Sequence, residues 1–300
     1  MQGIGLCFAT PRGLPKPNRL GQRVVVLDIA FAADAGGQRF DKTTGKLIGA
    51  LGDRLVAWVD HHDSIHHRRF AEDRRFLLAT KAQHGACPEM IDEQVVARFP
   101  RPDTIVCHVD FDGLASAAKW IRGGREPYPG CDADARAIDT CRGEPGVTGA
   151  PIDRALRARP RDARLQLAVV RYLVSPEAAA ADWTVIEDGA ASYGEIEEHS
   201  RELAAGYQRL SERLSLVTVP ADAPAYDKTL LLLLGQEQAP MAAVVDGDTV
   251  TFAAAFDSGI DFLSLLGLSG GMPTRVSIQR HELAAALRTL GVPNPERVAP

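Results

Sequence analysis

Three short apolar runs constrain this chain most, because each ends in side chains that suit a metal ion. Val24-Val25-Val26-Leu27 runs into Asp28. Leu55-Val56-Ala57-Trp58-Val59 runs into Asp60-His61-His62. Thr104-Ile105-Val106-Cys107 runs into His108-Val109-Asp110-Phe111-Asp112-Gly113. A short, continuous apolar run reads as a strand buried on both faces, the habit of parallel sheets covered by helices. The carboxyl ends of such strands are where open α/β sheets place their ligands. Acids packed this densely repel one another and resist desolvation, and a divalent cation removes both penalties.

Strand and helix signals alternate through residue 150, which predicts a parallel sheet with helical crossovers. Residues 1–20, rich in Pro and Gly, form a lead-in with one short strand at most. Gly36-Gly37 marks a loop. Helices are expected over 42–51, over 88–99 with Pro88 in the first turn, over 114–121 and over 132–140. From 151 to 215 the spacing of Ile152, Leu156, Leu165, Val169, Leu173, Ile196, Leu203 and Leu210 is helical. Beyond 216, strands are expected over 230–234, 242–245 and 249–255, with Asp246-Gly247-Asp248 as a turn. Helices over 259–266 and 281–290 flank the turn Ser269-Gly270-Gly271-Met272-Pro273. The expected class is α/β: a mainly parallel sheet with helices on both faces over 1–150, a helical connector over 151–215, and a smaller α/β domain over 216–300.

Three hundred residues suit two domains better than one core. The net charge of -5 disfavours long nucleic acid as a partner, although Arg is plentiful over 136–171 and leaves a local basic groove open. No stretch approaches the roughly 20 apolar residues of a membrane span, so no membrane partner is expected. The first 20 residues lack the pattern of a secretory leader. The five cysteines (Cys7, Cys87, Cys107, Cys131 and Cys141) are odd in number and widely spaced. They are expected as reduced thiols in a cytoplasm.

The candidate ligands are Asp28, His61, His108, Asp110, Asp112 and Asp139, enough for two cations. Oxygen and nitrogen donors without thiolate suit manganese or magnesium, with another divalent metal open. Two ions about 3.5–4 Å apart can clamp the attacking and leaving oxygens of a phosphoryl displacement. Asp28, alone at its strand end, is the candidate bridge. In an extended segment His108, Asp110 and Asp112 would point to one side. Gly113 would allow a tight turn and close approach of backbone to a phosphate. Ser116 falls in the first turn of a helix whose amino end favours an anion. Asp132 and Asp134 compete with Asp139. His66-His67-Arg68-Arg69, Lys119 and Arg122 read as solvated, His84, His199 and His281 as surface residues, and Trp58 and Phe111 as core.

Asp-His-His after a buried strand, with His-x-Asp-x-Asp-Gly before a Ser-Ala helix, resembles the DHH phosphoesterase superfamily. The C-terminal part, through Gly259-Ile260-Asp261 and Ser269-Gly270-Gly271-Met272-Pro273, is similar to that family's associated substrate domain. The resemblance spans most of residues 20–295 but is carried by a few short motifs. It implies that His108 and Asp110 hold one manganese ion, that His61 and Asp112 hold the other, and that Asp28 bridges. It implies that His62 meets the substrate phosphate, that Asp60 orients the histidines, and that Asp139 is the last aspartate of the set. Gly113, Ser116, Gly270 and Gly271 would face substrate. Three departures stand out. The family's His-x-Asp-x-Asp-Gly motif precedes its triplet, whereas here it follows, as in a circular permutant. Met272 stands where the family's substrate domain usually has His. The strand beginning at Phe252 lacks the family's nucleotide-gripping Arg.

The resulting expectation is a two-metal phosphoesterase acting on a short phosphorylated nucleotide: a linear or cyclic dinucleotide, a 3′-phosphoadenosine 5′-phosphate type compound, or the end of a single strand. A pyrophosphatase-like phosphoanhydride hydrolase and a non-catalytic nucleotide sensor are the alternatives. A homodimer remains open.

Overall fold

The computed structural model describes residues 3–32 and 39–298, and the chain divides into two units at Ser192 and Tyr193. The loop expected at Gly36-Gly37 lies outside the described residues. In the first unit five strands pair in parallel in the order Gly5–Phe8, Thr104–Cys107, Val24–Leu27, Leu55–Asp60, Phe76–Leu78. The α/β class expected from sequence is the one observed.

Each central strand buries both faces, as its uninterrupted apolar run requires. Val25, Leu27, Ala57, Val59, Ile105 and Cys107 pack with helices Phe111–Ile121, Gly149–Ala158 and Ala163–Val174. The alternate residues Val24, Val26, Trp58 and Val106 pack with Phe31, Phe40 and helix Thr44–Leu51, and Leu55 joins them at the register shift that opens its strand. Side chains alternate across a strand, so one run feeds two cores. The fully buried Trp58 still donates its indole N–H to the Ile29 carbonyl at 3.1 Å, and Phe111 is buried too, as expected.

The strand order places the candidate site residues. From Val24–Leu27 the chain runs outward through Leu55–Asp60 to Phe76–Leu78, then returns to Thr104–Cys107 on the other flank of Val24–Leu27. Successive connections leave the Val24 strand in opposite directions, and this switch point is where a doubly wound sheet opens a crevice. Asp28 and His108 terminate the two strands that border it.

The second unit holds helix Tyr193–Ala204 and a mixed sheet in the order Arg275–Gln279, Thr249–Ala254, Met241–Asp246, Leu214–Thr218, Gln208–Arg209. Among the described residues of this sheet, Leu214–Thr218 and Met241–Asp246 pair in parallel and the other neighbours are antiparallel. The helical signal expected over 151–215 holds as far as Ala204, but Leu210 lies between strands Gln208–Arg209 and Leu214–Thr218 and not on a helix. The helices Gly149–Ala158, Ala163–Val174 and Ala180–Ala191 belong to the first unit, and Tyr193–Ala204 belongs to the second.

Several expectations need correction. Residues 230–234 are not a strand but the middle of helix Lys228–Gln236. Asp227 caps it, accepting from the Thr229 and Leu230 N–H groups, and leucine, with no branch at Cβ, fits a helix well. Residues 88–99 are not one helix. A 3-10 turn, Cys87–Met90, is separated from helix Glu93–Ala97 by Asp92, whose extended backbone and side-chain cap restart the chain. The helix expected from 259 starts later, at Phe262–Leu266, because Asp261 caps it. The helix expected over 281–290 is a 3-10 turn, Arg280–Glu282, followed by Leu283–Thr289. His66 is buried and stacks on Phe40 at 4.3 Å, and His67 meets the Phe31 ring edge-on at 5.2 Å, so this pair is not a solvated face. Lys119 is buried, hydrogen-bonded to Asp132 and to the Pro88 carbonyl, and Arg122 donates to the Val174 carbonyl.

Candidate metal centre

Asp28 is the focus of the site. Its N–H still pairs with the Val59 carbonyl at 2.9 Å, but its φ of 57° takes it out of the strand conformation. A non-glycine residue in the left-handed region costs roughly 1–3 kcal/mol, and Asp tolerates it better than most. The carboxylate is fully buried, and neither oxygen has a hydrogen-bond partner. Burial, then the charges of Asp112 and Asp110, push its pKa well above the ordinary carboxylate value. A strained, desolvated and unpartnered acid is a poor structural choice and a good cation ligand.

His61 and His108 flank it. His61 Nε2 lies 3.3 Å from Asp28 Oδ1, and His108 Nδ1 lies 3.6 Å from Asp28 Oδ2. The His61 ring is fixed by its other nitrogen, which donates to the His84 carbonyl at 3.0 Å. That bond turns Nε2 into the site, the arrangement by which protein ligands are normally oriented. His61 Nε2 also lies 3.4 Å from Asp112 Oδ2 and 3.8 Å from Asp139 Oδ2. Against burial and the charge of Lys81, the neighbouring carboxylates of Asp112 and Asp28 push His61 up to about 11. Against burial, Asp110 pushes His108 up to about 10, through a contact of 2.6 Å between Nδ1 and Asp110 Oδ2. The pocket therefore demands positive charge beside both imidazoles.

His62 behaves differently. Its Nδ1 lies 2.9 Å from Asp60 Oδ1, while Asp60 itself is fully buried. Burial and Lys81 lower the pKa of His62, so the ring stays neutral and aims its second nitrogen away from Asp60. His62 Nδ1 is 3.9 Å from Asp28 Oδ1.

Three sets of donor atoms converge within 4.8 Å: Asp28, His61 and His62; Asp28, His108 and Asp110; His61, Asp112 and Asp139. All six ligands expected from sequence thus meet in one cluster, including Asp139 from helix Cys131–Thr140. Asp132 bonds Lys119, and Asp134 accepts from Tyr128 and the Gly146 N–H, so neither competes for the role. The donor chemistry, carboxylate and imidazole without thiolate, fits a hard or borderline divalent ion.

The route to convergence differs from the expected one. His108, Asp110 and Asp112 do not share an extended segment. Asp110 caps helix Phe111–Ile121 by accepting from the Gly113 N–H, and Asp112 sits in the first helical turn. Asp112 is held by the Cys87 N–H at 3.2 Å. Gly113 does not make the turn. It is helical, and a Cβ there would come within 2.7 Å of His108 Cβ and 2.8 Å of the His108 carbonyl oxygen. Ser116 is fully buried, and Gly270 and Gly271 lie in the second unit.

Sequence reasoning missed Lys81. Its side chain is 2% exposed, its Nζ is 2.9 Å from His61 Nε2, and it donates to Asp139 Oδ2. It also missed the backbone of His84 and Cys87 as supports. The available signal was Phe76-Leu77-Leu78-Ala79, a fourth apolar run ending in polar residues at the same edge of the sheet.

No family model and no curated protein matches the chain. Among solved structures it is similar to the pGpG-specific phosphodiesterase PggH from Vibrio cholerae, at 11% identity, 91% coverage of this chain, 100% of that one and a TM-score of 0.41. It is also similar to exonuclease RecJ bound to manganese, at 14% identity, 94% and 79% coverage and a TM-score of 0.44.

Proposed function

We propose that this protein is a divalent-metal-dependent phosphoric ester hydrolase acting on a short nucleotide-type phosphate. The observation that carries the reading is Asp28: a fully buried carboxylate with two unpartnered oxygens, flanked by His61 and His108. Asp28, His108 and Asp110 would hold the ion, and the side chain of Asp110 is 45% exposed, which gives substrate a way in. When bound, such an ion polarises a phosphoryl oxygen and makes a nucleophile available near neutral pH. His62, kept neutral and aimed by Asp60, is suited to contact a phosphoryl oxygen or to move a proton at the leaving group. Asp112, pinned by the Cys87 N–H, keeps His61 in place. The amino end of helix Phe111–Ile121 adds a partial positive charge beside the phosphate. The resemblance of the motifs to DHH phosphoesterases supports a dinucleotide, a cyclic dinucleotide or a 3′-phosphoadenosine 5′-phosphate type compound as substrate. Manganese is the first choice of metal.

The test is a manganese-supplemented hydrolysis screen over linear and cyclic dinucleotides, 3′-phosphoadenosine 5′-phosphate, pyrophosphate and 5′-labelled oligomers, with Asp28→Ala as control. Hydrolysis of a nucleotide species that needs metal and disappears in the variant is expected. Hydrolysis of pyrophosphate alone would move the assignment to phosphoanhydrides, and tight nucleotide binding without turnover would make the protein a sensor.

A further inference from the structure

The cluster is not symmetric. Its Asp28, His108 and Asp110 side opens to solvent through Asp110. The opposite side, built from His61, Asp112 and Asp139, is closed by a lysine. Lys81 approaches in the loop after strand Phe76–Leu78, with its backbone N–H held by Asp63 Oδ2 at 3.0 Å. Its side chain is buried, and its Nζ contacts two of the three donors there: 2.9 Å from His61 Nε2, and hydrogen-bonded to Asp139 Oδ2.

Resting on the metal-dependent reading above, we propose that the Lys81 ammonium takes the place of a second divalent ion, so that the site holds one such ion per chain, at Asp28, His108 and Asp110. An ammonium is a compact cation with three donors. It fills the space in front of His61 Nε2 and Asp139 Oδ2, the two atoms that a metal would use there. The His61 ring cannot turn Nε2 away from Lys81, because Nδ1 is committed to the His84 carbonyl. A metal ion at that nitrogen and the ammonium exclude each other. Charge argues the same way: a divalent ion set beside a buried ammonium meets repulsion that the interior screens poorly. The acids of this half are compensated by the chain itself, and only the Asp28 half is left wanting a cation.

Metal stoichiometry is the test. The full chain is dialysed against excess manganese chloride, the bound metal is counted by elemental analysis, and its low-temperature electron paramagnetic resonance spectrum is recorded. One manganese per chain with the spectrum of an isolated ion is expected. Lys81→Met, neutral and similar in length, is expected to bind two, with the signature of a coupled pair. Two ions in the unaltered protein would overturn the role of Lys81 and leave the metal-dependent reading intact. No bound ion would overturn both. One ion in both proteins, with the variant folded by circular dichroism, would show that Lys81 is not what excludes the second and would overturn the proposal. Should Lys81→Met fail to fold, the count and spectrum of the unaltered protein decide alone, one isolated ion supporting and a coupled pair overturning.

Discussion

His62 and Asp60 form a fixed pair: Nδ1 of the ring lies 2.9 Å from Oδ1 of a carboxylate that has no access to solvent. Asp60 is held ionised below its ordinary range by His62, against its burial. The pair aims His62 but lies beside the Asp28, His108 and Asp110 donors and not among them. Asp60→Ala should therefore lower kcat by about 10–100-fold, the usual cost of losing a ligand-orienting or ring-orienting partner. Manganese stoichiometry should not change. Loss of metal alongside activity would mean that Asp60 supports the ligands and not the substrate-facing ring.

Asp28→Asn should separate stability from function. In the metal-free protein the folded state keeps a proton on Asp28 far above the unfolded value of about 3.9. Above that value the folded state binds more protons than the unfolded state, so stability falls as pH rises. A neutral amide removes this penalty. In EDTA at pH 7.5 the variant should melt higher than the parent, by about 2–4 °C for about 1 kcal/mol. With manganese present the order should reverse, because only the parent gains the stabilisation of a bound ion. Calorimetry in both buffers reads both signs.

Metal affinity should depend on pH through His108. In the metal-free protein the ring carries a proton up to about pH 10. The stability from its ion pair with Asp110 is complete below the unfolded value of about 6.5 and is lost as pH rises toward 10. A ligand imidazole must be neutral, so an ion binding there expels that proton. Manganese affinity should rise between pH 6.5 and 8.5 by about tenfold per pH unit for each proton released, with His108 and Asp28 each giving one up. Isothermal titration in buffers of different ionisation enthalpy measures the proton count, and a count no lower in His108→Ala than in the parent would remove His108 from the ligand set.

Much of this arrangement was readable from the chain. The three apolar runs became the three central strands because uninterrupted Val, Ile and Leu leave no solvent face. The residues that end those runs met because strand ends on one side of a parallel sheet share an edge. The leucines at 230–234 misled, since a short apolar run fits a strand or a buried helix equally well; the deciding signal was the cap, Asp227. The geometry within His108-Val109-Asp110-Phe111-Asp112 misled for a related reason. Asp110 is both a candidate ligand and a good N-cap, and the cap starts a helix where an extended segment was expected to continue. Lys81 was harder to read, because the strand before it, Phe76–Leu78, is three residues long and its side-chain partners, His61 and Asp139, are remote in sequence. The apolar run marked the sheet edge, and no local pattern marked the lysine for burial.

Gly113 gives the sharpest test of how closely the helix is pressed against the strand end at His108. Its φ is ordinary, so the glycine is not there for the turn. It is there because the first turn of helix Phe111–Ile121 lies directly on His108, with room for a hydrogen and not for a methyl. The atoms that would be struck at 2.7–2.8 Å are Cβ and the backbone carbonyl of His108, neither of which can swing aside like a side-chain tip. Gly113→Ala gains helix propensity worth at most about 1 kcal/mol. Overpacking against a fixed backbone costs about 1–3 kcal/mol and should win. The variant should melt lower than the parent in EDTA. Because the displaced residue is His108, manganese affinity should fall by more than the stability loss alone accounts for. A variant with unchanged melting and unchanged affinity would show that the helix can slide away from His108, and that the contact does not set the position of the ring.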